Sequence, residues 1–208
     1  TAGLISFIHV IPGEYVLPGI TLLIVANILA LFTQVVVTEM KRNIDDIAIS
    51  LFGVCYIVFF LAFAPLIRDS MENGKILIWY VFFAAWGTDI FAYLIGKNLG
   101  KHKFTSLSPN KSIEGCLGGI LGSILFVMGY TVICNSIWNM EISYLYAFGV
   151  SVFLSILSQI GDLAASSVKR HCEIKDYSNL IPGHGGILDR IDSVIFILPF
   201  AYFLLSVI

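Results

Sequence analysis

Residues 161–192 read GDLAASSVKRHCEIKDYSNLIPGHGGILDRID, and the reading of this stretch decides the fold. It leaves one apolar segment, crosses a basic loop and a Pro-Gly-His-Gly-Gly turn, and enters a second apolar segment. Three carboxylates, Asp162, Asp189 and Asp192, fall where the apolar runs begin or have already begun. An ionised group at that depth in hydrocarbon costs about 2.5–3.5 kcal/mol on insertion scales, so such residues mark function by default. What those carboxylates hold is the central question of the chain.

The surroundings are membrane-like. Of 208 residues, 58% are hydrophobic and 12% charged, with a mean hydropathy of +0.90. A globular domain carries about 25% charged residues, so this chain has too few to cover a soluble surface. A spanning helix needs about 20 mostly apolar residues. Segments 17–37, 47–67, 76–95, 115–134, 144–168 and 187–208 meet or approach that length. All are expected to be helices, because a lone strand leaves its backbone unsatisfied in lipid. The expectation is an all-α, polytopic integral membrane bundle: residues 1–75 as N-terminal membrane helices, and 76–208 as the membrane domain that carries the chemistry, with polar loops at 97–114 and 169–186. The opening TAGLISFIHVIP reads as the end of a helix whose start lies upstream. Pro65 and Pro199 are expected to kink their helices. No repeat of 20–50 residues and no inverted pair of broken helices is visible, which weighs against a transporter. The four cysteines, Cys55, Cys116, Cys134 and Cys172, are scattered without zinc-type spacing.

Basic residues are distributed with a strong bias. Lys41 and Arg42 follow the first segment, Lys97, Lys101, Lys103 and Lys111 the third, and Lys169, Arg170, Lys175 and Arg190 the fifth. The opposite loops hold only Arg68 and Lys75. The positive-inside rule places the basic loops, and the 161–192 stretch with them, on the cytoplasmic face. The net charge of -2 gives no argument for nucleic acid, and no such partner is expected.

Asp189 and Asp192 are three apart and share a helix face, with Ser193 one turn from Asp189. The fifth segment carries Ser158, Asp162, Ser166 and Arg170 at steps of four, a polar stripe on an apolar helix. Hard oxygens from two helices suit magnesium, which takes one or two carboxylates plus substrate phosphates and water. The plain alternative is that each aspartate settles its charge on a neighbouring Lys or Arg. Gly183, His184, Gly185 and Gly186 precede the helix of Asp189, where backbone N–H groups and the helix dipole suit a phosphate; a simple tight turn is the competing reading. His171, Cys172 and His184 offer zinc-type ligands but lack a fourth. Upstream, Asp89 lies inside the third segment, and Ser108-Pro109-Asn110-Lys111-Ser112 leads into a helix start with Glu114. Glu114 there reads as ordinary first-turn chemistry.

Together these residues resemble a known signature. Ser167-Val168-Lys169-Arg170, Lys175-Asp176 and Pro182-Gly183-His184-Gly185-Gly186-Ile187-Leu188-Asp189-Arg190-Ile191-Asp192 are similar to the phosphatidate cytidylyltransferase family, also called CDP-diacylglycerol synthases. Asp89 with Ala92-Tyr93 and Gly96-Lys97, Gly100-Lys101, and Ser108 to Ser112 with Glu114-Gly115 agree. Asn110 and Ser112 depart from the commoner basic residue and Thr. The motifs cover Asp89 to Ser193. The resemblance implies CTP and phosphatidate giving CDP-diacylglycerol and pyrophosphate at a bacterial-type inner membrane. It implies Mg2+ held by Asp162, Asp189 and Asp192, and a second cation such as K+. By the same likeness Lys169, Arg170 and Arg190 are expected at the reacting phosphates. Asp89, Ser108, Lys111, Ser112, Lys175, Asp176, Gly183, His184, Gly185 and Gly186 are expected at the substrates. A homodimer is a further expectation. The competing functions are a CTP-dependent transferase acting on an isoprenoid lipid phosphate or polyprenol and, from another class, a membrane transporter.

Overall fold

The structure is a computed structural model that describes residues 13–37, 44–105, 111–178 and 185–208. Among these, every regular element is helical. They are α1 (Gly13–Val37), α2 (Ile44–Val54), a π-helical turn (Cys55–Phe59), α3 (Phe63–Ser70), α4 (Gly74–Leu99), α5 (Ile113–Ile137), α6 (Tyr144–His171) and α7 (Leu188–Leu205). Four stretches are long and apolar enough to cross a membrane: Ile47–Ser70, Gly74–Leu99, Ile113–Ile137 and Tyr144–His171. The protein is an all-α integral membrane protein. Two compact units divide it, Thr1–Pro65 and Leu66–Ile208.

In the first unit α1 is a 25-residue helix, and α2 runs directly into the π-helical turn, with Phe52 stacked on Tyr56. Pro65 falls in the first turn of α3, where a missing N–H leaves no bond unmade.

The second unit is built on the α4–α5 pair. Gly115, Gly118, Gly119 and Gly122 of α5 are buried, while Leu117, Leu121 and Leu125 stand about three-fifths exposed on its other side. Small residues face the neighbour and large ones face outward, because lipid gives two helices no hydrophobic reason to meet and close backbone packing must do it. The approach is tightest where Gly87 and Gly122 meet, since a Cβ added at either would run into the carbonyl oxygen of the other. Buried hydroxyls fasten the same helices. Tyr80 Oη and Thr131 Oγ1 are 2.9 Å apart. Thr88 Oγ1 donates to Ser155 Oγ of α6 at 2.8 Å, and Ser123 Oγ donates to the Ser151 carbonyl at 2.9 Å. At the other end of α6, Tyr146 Oη donates to Leu204 O of α7 at 2.6 Å. Pro199 lies inside α7, buried, and the helix continues through it.

This connectivity brings the C-terminal ends of α4 and α6 together with the N-terminal ends of α5 and α7. The residues of the 161–192 stretch and of the Lys111 segment therefore meet at one end of the unit, with Arg68 and Lys75 at the other.

Candidate active site

The basic end is assembled from four helices. Lys111, the residue before the α5 cap, extends to α6, where its Nζ lies 2.5 Å from Asp162 Oδ2 and 3.5 Å from the Gln159 carbonyl. Gln159 in turn donates to the Cys116 carbonyl at 3.2 Å, tying α6 to α5 just behind the lysine. Asp162 remains about one-third exposed. On α7, Asp192 and Ser193 are buried, and Ser193 Oγ donates to Asp89 Oδ2 of α4 at 3.2 Å across 104 residues of sequence. Asp162 is within electrostatic reach of both Asp89 and Asp192. Asp89 is itself exposed, next to the fully buried Thr88. Asp89, Asp162 and Asp192 thus form one acidic group, fed by three helices. One turn from Asp162 on the same stripe, Ser158 is fully buried, and among the described residues its Oγ has no hydrogen-bond partner.

Asp189 does something else. Its Oδ1 accepts from Lys169 Nζ at 2.9 Å, and its Oδ2 accepts the N–H groups of Tyr177 and Gly186, both at 2.9 Å. Both partners of the ion pair are sequestered, with side chains 13% and 5% exposed. The Lys169 ammonium also lies 5.2 Å from the centroid of the Tyr177 ring, at cation–π distance, and Tyr177 Oη donates to the Ala165 carbonyl at 3.2 Å. Burial raises the Tyr177 phenol above its ordinary pKa, and the charges of Asp192 and Asp189 add to that effect. Gly185 has φ +78°, a conformation that favours glycine, and it brings the turn back against Asp176 and Asp189.

Of the expected trio of Asp162, Asp189 and Asp192, the first and last lie within electrostatic reach of each other and of Asp89, while Asp189 is tied to Lys169 and, in the loop between α6 and α7, to Tyr177 and Gly186. The plain alternative, an aspartate settling its charge on its own cation, describes Asp162 with Lys111 and Asp189 with Lys169. The Gly186 amide, expected to face a phosphate, is donated to Asp189. Ser112, expected at a substrate, is 8% exposed and caps α5 by accepting the Gly115 N–H at 3.0 Å. Lys175, Asp176, Arg170 and Arg190 are exposed at this end. Ser108, Gly183 and His184 lie outside the described residues. Sequence reading missed Tyr177, Gln159 and His102. Tyr177 follows Lys175-Asp176 directly and Gln159 adjoins the Ser158–Asp162 stripe, so both stood next to residues already singled out.

Among the described residues, no group of three or more His, Cys, Asp or Glu side chains is arranged to hold a metal ion by itself. Magnesium asks for less, since one or two carboxylates suffice when phosphates and water complete the shell. The hard oxygens of Asp162, Asp192 and Asp189, each within reach of an ammonium or amide that a phosphate-bound cation would replace, fit that partial demand.

A family model described as "Cytidylyltransferase family" matches residues 4–208. The chain belongs to the cytidylyltransferase family. It is 35% identical to the phosphatidate cytidylyltransferase of Bacillus subtilis (strain 168) over 209 residues, covering 98% of this chain and 76% of that protein. It is 37% identical to the phosphatidate cytidylyltransferases of Staphylococcus aureus (strain COL) and Staphylococcus haemolyticus (strain JCSC1435), covering 88% of this chain and 68% of each relative. For a cytidylyltransferase the basic end has an evident use. Transfer of a nucleotidyl group asks a protein mainly for positioning and for charge neutralisation, and this end concentrates both signs of charge on rigid helices.

Proposed function

We propose that this protein is a phosphatidate cytidylyltransferase, joining CTP and phosphatidate to give CDP-diacylglycerol and pyrophosphate. The observation that carries the reading is the convergence of Asp162, Asp192 and Asp89 from three separate helices, with Lys111 of the segment before α5 on Asp162, beside the Lys169–Asp189 pair. A phosphate oxygen of phosphatidate attacks the α-phosphorus of CTP in line. A new P–O–P bond forms, the α–β anhydride bond breaks, and its electron pair leaves with pyrophosphate. No dedicated base is required, because the attacking phosphate is already ionised near neutral pH.

The chain's own residues supply the rest. Lys111 and Lys169 are poised to exchange a carboxylate partner for a phosphate, since an ammonium holds either as a compact point charge. Arg170, Lys175 and Arg190 raise the local concentration of the two anions at the mouth of the site. Asp162, Asp189 and Asp192 would hold magnesium, which when bound supplies neutralisation of the charge developing on the leaving pyrophosphate. Asp89, through Ser193, fixes the inner wall on which Asp192 stands. The bias of basic residues supports a site facing the cytoplasm from a bacterial-type inner membrane.

The test is direct. Membranes carrying the protein are incubated with magnesium, phosphatidate and CTP labelled in the cytidine ring, and a labelled lipid is expected. Cytidine labelling only when an isoprenoid lipid phosphate replaces phosphatidate, or lipid labelling only when polyprenol is supplied with CTP labelled in its γ-phosphate, would overturn the substrate assignment.

A further inference from the structure

Glu114 has a task that its place in the first turn of α5 does not explain. The cap of that helix is already made by Ser112, whose hydroxyl accepts the Gly115 N–H at 3.0 Å. The Glu114 carboxylate reaches twelve residues back instead. Its Oε1 lies 2.6 Å from His102 Nδ1, and its Oε2 accepts the His102 backbone N–H at 3.3 Å. Between these residues the chain forms a minimal antiparallel ladder. Ile113 N–H donates to His102 O at 2.9 Å, Phe104 N–H donates to Lys111 O at 2.9 Å, and Lys103 bridges Ser112. One bridge with two flanking hydrogen bonds is too little to hold its register alone in water. A slip of one residue would carry Lys111 to the opposite face. A charge-assisted pair at the open end of the ladder prevents that slip.

We infer that His102 and Glu114 are positioning residues for Lys111, a side-chain clasp that sets the lysine against Asp162 and so against the phosphates of the nucleotide. The inference rests on the cytidylyltransferase reading for its functional consequence, but not for its geometry. Lys111 sits on the ladder strand next to Ser112, and its ammonium spans from that strand to Asp162 and Gln159 on α6. Anything that loosens the ladder displaces the ammonium, whereas the helices beneath are held by their own glycine contacts and hydroxyl bonds.

Two measurements test it. The first needs no substrate: purified protein is treated with a water-soluble amine-reactive ester, and modification of Lys111 is read by mass spectrometry. His102→Ala and Glu114→Ala should raise Lys111 modification, and Glu114→Gln, whose amide oxygen accepts the His102 backbone N–H while its NH2 donates to Nδ1 of the neutral ring, should restore protection. The second is kinetic. His102→Ala should raise KM for CTP about 5-fold with kcat changed less than about 2-fold, the pattern of lost ground-state binding. Added to Lys111→Ala, it should have no further effect, because the clasp acts through that lysine. If the alanine variants do not accumulate in membranes, His102→Phe and Glu114→Leu, which fill similar space without the polar contact, carry the same comparison. Unchanged Lys111 modification, or KM effects that multiply in the double variant, would overturn the clasp. A wild-type protein that forms no labelled lipid while Lys111 protection still depends on His102 would overturn only the function reading.

Discussion

Asp189 is linked to three partners at once, so its replacement has two separable consequences. Asp189→Asn should abolish formation of labelled CDP-diacylglycerol and should also strand the Lys169 ammonium in a pocket where it is 13% exposed. Removing one partner of a sequestered pair costs about 3–5 kcal/mol. Lys169→Met added to Asp189→Asn should recover most of that stability without recovering turnover, read as thermal unfolding in detergent beside the lipid assay. Lys111→Ala should act more mildly, raising KM for CTP with a smaller fall in kcat. Ser112→Ala should remove a helix cap worth about 1 kcal/mol, lowering the unfolding temperature while the products stay the same. At this scale the sequence disclosed which residues are unusual but not how they pair. The steps of four placed Ser158 and Asp162 on one face, yet nothing local could show that Asp189, only three residues from Asp192, turns to the loop while Asp192 is buried within electrostatic reach of Asp162. That choice is made by Lys169, twenty residues upstream and visible only after the loop has closed.

The helices themselves were the legible part. The third to fifth apolar segments, expected at 76–95, 115–134 and 144–168, correspond to helices at Gly74–Leu99, Ile113–Ile137 and Tyr144–His171. Each runs a little further than the apolar core of its sequence, because polar residues continue a helix into the interface once it has begun. What could not be read was the side each helix shows to its neighbour. Apolar residues surround α5 on every side, so periodicity does not separate a lipid face from a protein face, and its glycines look like breakers until Gly87 is seen against Gly122. The consequence is testable: Gly122→Leu should prevent accumulation of folded protein, whereas Gly129→Leu, at a position with nothing within 4 Å of an added Cβ, should be tolerated. Size-exclusion profiles of the two variants in detergent check this. Thr88→Val removes the donor to Ser155 and leaves a buried hydroxyl bond unmade, with an expected loss of about 1–3 kcal/mol in the same unfolding experiment.

Across the whole molecule, the fold matters because it collects distant motifs at one end. Asp89 and Ser193 are separated by most of the catalytic half of the chain and meet through one hydrogen bond. The basic bias along the sequence anticipated that end, since loop charge is a property of composition and order rather than of packing. Chelation of divalent cations should stop lipid labelling, yet shift the unfolding temperature by less than about 2 °C, because binding stabilises only in proportion to its free energy and the anionic groups are not left bare. The ammonium groups of Lys111 and Lys169 already answer the charges of Asp162 and Asp189, and under the proposed function they are understudies for the cation that the substrates bring. A newly inserted copy can therefore wait in the bilayer, electrically settled and structurally complete, until nucleotide arrives to relieve them.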